Sequence, residues 1–158
     1  MDELEEFIIN NLWKIISSKE NKDNKLQKIV EEISSFLRIE KISLMGSDKN
    51  GFFVIIAQNG LSKNIVKETK VKEGDGIAGM AILEKRAIFI RKIDLTREGT
   101  DYNRHYKTDS FIIYPIEENG KIIGVLNLTD KKEDLNFTEK DLDAIKPIIE
   151  RIKFVMKN

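Results

Sequence analysis

The feature that most constrains this chain is a change of hydrophobic period after Arg38 and a change back at Thr138. Before Arg38, Leu4, Phe7, Ile8, Leu12, Ile15 and Ile16 recur at helical spacing. After a polar break over residues 17–24, Leu26, Ile29, Val30, Ile33, Phe36 and Leu37 do the same. Between the two changes the apolar residues fall into short runs bounded by turn residues, which is how strands are written. After Thr138, Leu142, Ile145, Ile149, Ile152 and Val155 return to helical spacing. A chain built this way must bury the faces of a central sheet against helices at its two ends. The fold class is therefore α+β, with one antiparallel sheet packed on the terminal helices.

Turn chemistry divides the middle. Residues 42–45 and 52–56 read as strands joined through Ser47-Asp48-Lys49-Asn50-Gly51, and Asn119-Gly120 joins strands at 110–116 and 122–129. A short strand is expected near 65–71 and another at 87–91. Gly74-Asp75-Gly76 opens a short helix over 77–84. Residues 94–108 are polar without a period and are expected to form an irregular cover. Thr138 and Asp141 resemble a capping box at the start of the last helix.

At 158 residues the chain is one domain, 1–158, with N-terminal helices at 1–38, sheet, short helix and roof at 39–137 and a C-terminal helix at 138–158. Hydrophobic residues at 41% and charged residues at 34% argue against disorder. Lys plus Arg equals Asp plus Glu, so the basic excess of a nucleic-acid binder is lacking and direct nucleic-acid contact is not expected. The absence of cysteine removes disulfides, thiol nucleophiles and thiolate metal sites. Met1-Asp2-Glu3 lacks the basic flank of a signal peptide, and no apolar run reaches membrane-spanning length, so a cytoplasmic protein without a membrane partner is expected. The last helix runs nearly to Asn158, as in a domain cut from a longer chain or in a free-standing protein that ends there.

Four segments together resemble the GAF family. They are Gly74-Asp75-Gly76-Ile77-Ala78-Gly79, then Tyr106-Lys107-Thr108-Asp109-Ser110-Phe111, then Pro115-Ile116 with Gly120-Lys121-Ile122-Ile123-Gly124-Val125-Leu126-Asn127, and finally Phe137-Thr138-Glu139-Lys140-Asp141-Leu142. The resemblance implies that the short helix and the irregular segment roof a small-molecule pocket on one sheet face. It also implies terminal helices that pack on the other face and commonly pair between subunits.

Pro115 cannot donate to a ladder, so a bulge is expected there. One extra residue at Pro115 would set Phe111 opposite Asn127. Phe111, Ile113, Val125, Asn127 and Thr129 would then share the pocket face, with Ile112, Leu126 and Leu128 facing the helices. Asn127, polar among apolar neighbours, needs a partner, either roof backbone or a ligand. The expected pocket is lined by Met80, Tyr102, His105, Tyr106, Phe111, Ile113, Asn127 and Thr129. His105, the only histidine, has no carboxylates at ligand spacing, so no metal is expected. Arg91, Lys92, Arg97, Arg104 and Lys107 make the roof basic. Two of them turned inward would suit a small anionic or nucleotide-like ligand.

Within the family, free methionine sulfoxide reductases use cysteines and acidic pocket residues. This chain has no cysteine and carries Phe111, Asn127 and Thr129 at the positions that resemble the acidic ones. Cyclic-nucleotide-binding members carry an Asn-Lys, Phe, Asp-Glu signature, whose matches here are Asp130-Lys131, Phe137 and Asp141-Leu142. With no nucleophile–base pair legible, no enzyme and no cofactor are expected. The expectation is instead a non-catalytic sensory input module of a signal-transduction or transcription-regulatory protein, such as a sigma-54-type activator. The alternative is a ligand-free structural or dimerisation module.

A homodimer through the terminal helices is expected, because apolar residues on both helices wrap beyond one stripe. Its interface is assigned to Phe7, Ile8, Leu12, Trp13, Ile148, Ile152, Phe154 and Val155. Pro147 is expected to kink the last helix.

Overall fold

The structure, a computed structural model, describes residues 1–90, 110–134 and 136–158. The chain opens with α1 (Glu3–Glu6), where Asp2 Oδ1 accepts the Glu5 N–H at 2.8 Å. It continues through a π-helical turn, Phe7–Leu12, into α2 (Trp13–Ile16). Hydrogen bonds reaching to i+5 bring both Phe7 and Ile8 onto the buried side with Leu12 and Ile16. α3 (Lys22–Leu37) is capped by Asn21 and ends at Arg38 in the left-handed region. Its apolar stripe Leu26, Ile29, Val30, Ile33 and Leu37 is buried.

The sheet elements follow: β1 (Ile39–Ser47), β2 (Phe53–Asn59), α4 (Lys63–Glu68), β3 (Lys70–Val71), α5 (Gly76–Glu84), β4 (Ile88–Ile90), β5 (Phe111–Glu118) and β6 (Lys121–Lys131). A 3₁₀ turn (Lys132–Asp134) and α6 (Glu139–Lys157) close the chain. The six strands lie in the order β3-β2-β1-β6-β5-β4, all neighbours antiparallel.

Two cores flank this sheet. On one face Ile42, Leu44, Ile112, Leu126 and Leu128 pack with the terminal helices. On the other, Met45, Phe53, Phe111, Ile113 and Val125 pack with Ala78, Ala81 and Ile82 of α5. The layered α+β arrangement expected from the hydrophobic period is the one observed. Among the described residues, no helix is long and apolar enough to cross a membrane.

Three expectations are corrected. The first is the strand near 65–71, which is α4 followed by a two-residue β3. Ser62 Oγ accepts the Ile65 N–H at 3.2 Å, and this local cap outweighs the strand preference of Ile65 and Val66.

The second is the hairpin register. Phe111 lies opposite Thr129 and Ile113 opposite Asn127, and the shift falls between Ile116 and Glu117. Ile116 pairs with Gly124 and Glu117 with Ile122, so the extra residue is Ile123 on β6, not Pro115 on β5. The observed register differs from the expected one by two residues. Strand side chains alternate with period two, so every residue still faces the side anticipated. β4 flanks β5 only along Phe111–Ile113, which leaves Pro115 with β6 as its one sheet neighbour. A residue without an N–H is tolerated at such an edge.

The third is the helical interface. Phe7, Ile8, Leu12, Ile148, Ile152 and Val155 are buried in the protomer's own core. They cannot also face a partner, because the protomer already covers them: α3 packs against the N-terminal helical segment and against α6, and α6 also packs against β5. Only Trp13 (40% exposed) and Phe154 (49%) remain at the surface, joined edge to face at 6.0 Å between ring centroids.

α6 begins in the expected capping box. Thr138 N–H donates to Asp141 Oδ2 at 2.9 Å, and Asp141 N–H donates to Thr138 Oγ1 at 3.3 Å. Lys131 Nζ holds the same carboxylate at 2.7 and 2.8 Å. Phe137 belongs to the helix-side core. Asp141 and Phe137 thus anchor the helix start, as their sequence positions allow.

Candidate functional site

The α5 side of the sheet can be built strand by strand. Antiparallel pairing sets Met45 against Val125, Ser43 against Asn127 and Lys41 against Thr129 across β1 and β6. β5 extends these rungs with Ile113 beside Asn127 and Phe111 beside Thr129, and β4 adds Ile88 and Ile90. The rungs change character along the strands. Met45 and Val125 are apolar and belong with α5, the next rung is Ser43–Asn127–Ile113–Ile88, and the last is Lys41–Thr129–Phe111–Ile90. The result is a polar strip on β1 and β6 bordered by an apolar wall on β5 and β4.

Helix α5 packs closely on the segment that precedes it because residue 79 is glycine. A Cβ there would stand 2.6 Å from the Lys72 carbonyl oxygen and 3.0 Å from the Gly74 carbonyl carbon. With Ala78, Ala81 and Ile82 turned to the sheet, Met80 points outward and is 37% exposed. Its assignment to the pocket lining is corrected on that ground: positions two apart on a helix do not share a face.

Asn127 is the chemical centre of the strip. It is 5% exposed, and its Nδ2 donates to Ser43 Oγ at 3.2 Å. Its Oδ1 is buried and has no hydrogen-bond partner among the described residues. A buried amide oxygen left unpaired costs about 1–3 kcal/mol. Beyond it Asp130, fully buried and at φ 53°, is ion-paired with Lys41 at 3.0 Å. This ion pair sets a fixed positive and a fixed negative group beside Thr129, itself buried.

Phe111, Ile113, Asn127 and Thr129 are thus brought to one face as expected. Tyr102, His105 and Tyr106, the basic roof residues and the irregular cover lie outside the described residues. Sequence reasoning missed Ser43, Lys41 and Asp130. Ser43 and Lys41 could have been found from the alternation of β1, where Ile42 and Leu44 point to the helices. Among the described residues, no group of three or more His, Asp or Glu stands ready to hold a metal. Tyr114, on the helix side, has its phenol raised above 10 by burial and by the charge of Glu150.

No curated protein sequence matches the chain. The family profile for the GAF domain matches residues 22–152. Among solved structures, the GAF domain of a phosphoenolpyruvate-protein phosphotransferase from Acinetobacter superimposes with a TM-score of 0.80 at 16% identity, covering 99% of this chain and 95% of that one. The A. Aeolicus nlh2 GAF domain in an inactive state gives 0.77 at 19% identity, with 98% and 96% covered. Free methionine-R-sulfoxide reductase from Neisseria meningitidis, in complex with its substrate, gives 0.77 at 14% identity, with 98% and 88% covered.

These neighbours correct one expectation. The expectation that this chain is not an enzyme is overturned, because several solved structures of the same fold are free methionine-R-sulfoxide reductases, some with substrate bound. An enzymatic role therefore belongs among the functions this architecture supports. Chemistry in this chain would have to use oxygen, nitrogen or thioether groups, since cysteine is absent.

Proposed function

Since the chain belongs to the GAF domain family, we propose that it is a small-molecule-sensing regulatory domain. It takes its ligand on the α5 side of the sheet, along the Ser43–Asn127 and Lys41–Thr129 rungs. It serves as the input module of a signal-transduction or transcription-regulatory protein. The observation that carries this reading is the unpaired, buried Oδ1 of Asn127 in the middle of a polar strip with apolar walls. Such a site is mostly apolar with a few placed polar groups, as small-molecule sites are. A ligand N–H or O–H directed at Oδ1 would recover the cost of its burial. The A. Aeolicus neighbour, solved in what is described as an inactive state, supports a switching role.

The test is a thermal-shift screen of the purified chain with free amino acids, 2-oxo acids and cyclic nucleotides. A ligand bound only by the folded state raises Tm by mass action. The expected hit shifts the amide resonances of Ser43, Asn127 and Thr129. A hit that shifts only helix-side resonances, or no Tm change with any probe at millimolar concentration, would overturn the reading.

A separate observation favours self-association in the same domain. Trp13, Phe154 and Ile9 (50% exposed) expose large apolar side chains on the outer helices, and Trp13 and Phe154 touch. Exposed apolar patches on outer helices mark contacts, so we propose that a second copy covers this one. Sedimentation at micromolar concentration should give twice the 18.3 kDa chain mass, reduced to one by Trp13→Asp or Phe154→Asp. A wild-type monomer under those conditions would sink the idea.

A further inference from the structure

Gly46 of β1 and Gly124 of β6 lie directly opposite each other. Two facing glycines leave a notch in the sheet, in which the side chain of Met156 lies over Gly124 and that of Ile56 over Gly46. A Cβ on Gly124 would meet Met156 Cε at 2.8 Å and Sδ at 3.3 Å. Met156 is half-buried and borders a surface cleft of about 380 Å³ whose apolar wall includes Leu26, Ile122 and Ile123. Its carbonyl oxygen accepts Lys22 Nζ at 3.1 Å, which ties the end of α6 to the start of α3. The neighbouring Lys157 pairs with Glu118 at 2.9 Å. The last turn of α6 is thus held by Met156 over the notch, by buried Val155, by the Phe154–Trp13 contact and by two exposed lysine contacts.

The four methionines differ in what oxidation would do. Met1 and Met80 are exposed, and Met45 is buried on the other face of the sheet. Met156 alone has both a path to solvent through the cleft and a packing role on the terminal helices. We propose that Met156 is a peroxide-sensitive latch whose oxidation releases the last turn of α6 from the sheet. In the step, the sulfur lone pair attacks one oxygen of hydrogen peroxide. An S–O bond forms as the O–O bond breaks, the thioether loses two electrons, and the peroxide leaves as water after proton transfer. The sulfoxide is polar and carries an oxygen that the wall of Leu26, Ile122 and Ile123 cannot hydrogen-bond. The inference is independent of any ligand at Asn127.

The experiment treats the folded chain with hydrogen peroxide and follows peptide masses, hydrogen exchange over residues 150–158 and Tm. Met156 oxidation should accelerate exchange in that segment at least tenfold and lower Tm by about 2–4 °C, the shift expected in a domain of this size for the loss of about one packing contact. Methionine sulfoxide reductase should restore both. Met156→Leu keeps the volume without the sulfur and should abolish the peroxide response, while Met156→Gln should loosen the segment without peroxide. The proposal is overturned if Met156 stays reduced once Met1 and Met80 are fully oxidised. It is equally overturned if Met156 is oxidised with exchange unchanged, or if the Met156→Leu chain responds as the wild type does.

Discussion

Gly60→Ala should be the most damaging alanine substitution among the described glycines. Gly60 follows β2 at φ 85°, in the left-handed region. An added Cβ would stand 1.8 Å from the carbonyl oxygen of Glu40 and 2.9 Å from its carbon. Those atoms are backbone of β1, so neither can swing aside without breaking the β1–β2 ladder near Ile42 and Asn59. Gly51, at φ 83°, has nothing within 4 Å of the same added atom. Gly51→Ala should therefore lose only the left-handed preference, about 1–2 kcal/mol. Gly60→Ala should lose that and the collision as well, more than about 4 kcal/mol in total, in the exceptional range for a point change. Urea midpoints of the two variants check the difference. Equal midpoints would mean that the β1–β2 edge yields freely.

The second large effect concerns binding. Asn127→Leu keeps the approximate volume and removes the unpaired Oδ1, but it leaves Ser43 Oγ without the Nδ2 donor. These contributions oppose each other, so stability should stay within about 1 kcal/mol of wild type. The Tm rise produced by a ligand hit should nevertheless collapse, with affinity falling at least about tenfold, because a site built around a polar group loses its donor–acceptor match. Ser43→Ala combined with Asn127→Leu should be more stable than Asn127→Leu alone. If Asn127→Leu instead lost about 3 kcal/mol or more while keeping the ligand response, the amide would be structural and the site would lie elsewhere.

Much of the architecture was legible because it depends on period and on local backbone chemistry. The helical spacing before Arg38 and after Thr138, the Asn119-Gly120 turn and the Thr138–Asp141 cap all act over a few residues. They required no knowledge of distant partners. Even the sides of the sheet were readable, since two candidate registers that differ by two residues give the same facing. The bulge itself was not readable. Its place at Ile123 depends on how the β5–β6 hairpin meets the rest of the sheet, and next to it Gly124 receives Met156 from the far end of the chain.

The helix interface illustrates the same division. Consecutive apolar residues such as Phe7-Ile8 and Ile148-Ile149 announce a wide buried arc, but an arc does not say what buries it. The protomer covers most of it, because helices layered on helices above a sheet need two apolar faces. Trp13 and Phe154 are left outside. The candidate site divides likewise. The residue types and the alternation that put Phe111, Ile113, Asn127 and Thr129 on one face are local properties of β5 and β6. The company of Ser43 and Lys41, the outward turn of Met80 and the unpaired state of Asn127 Oδ1 are not local. They arise from a strand about 85 residues earlier in the chain and from a helix seated by Gly79, and only the folded chain brings these segments within hydrogen-bonding distance.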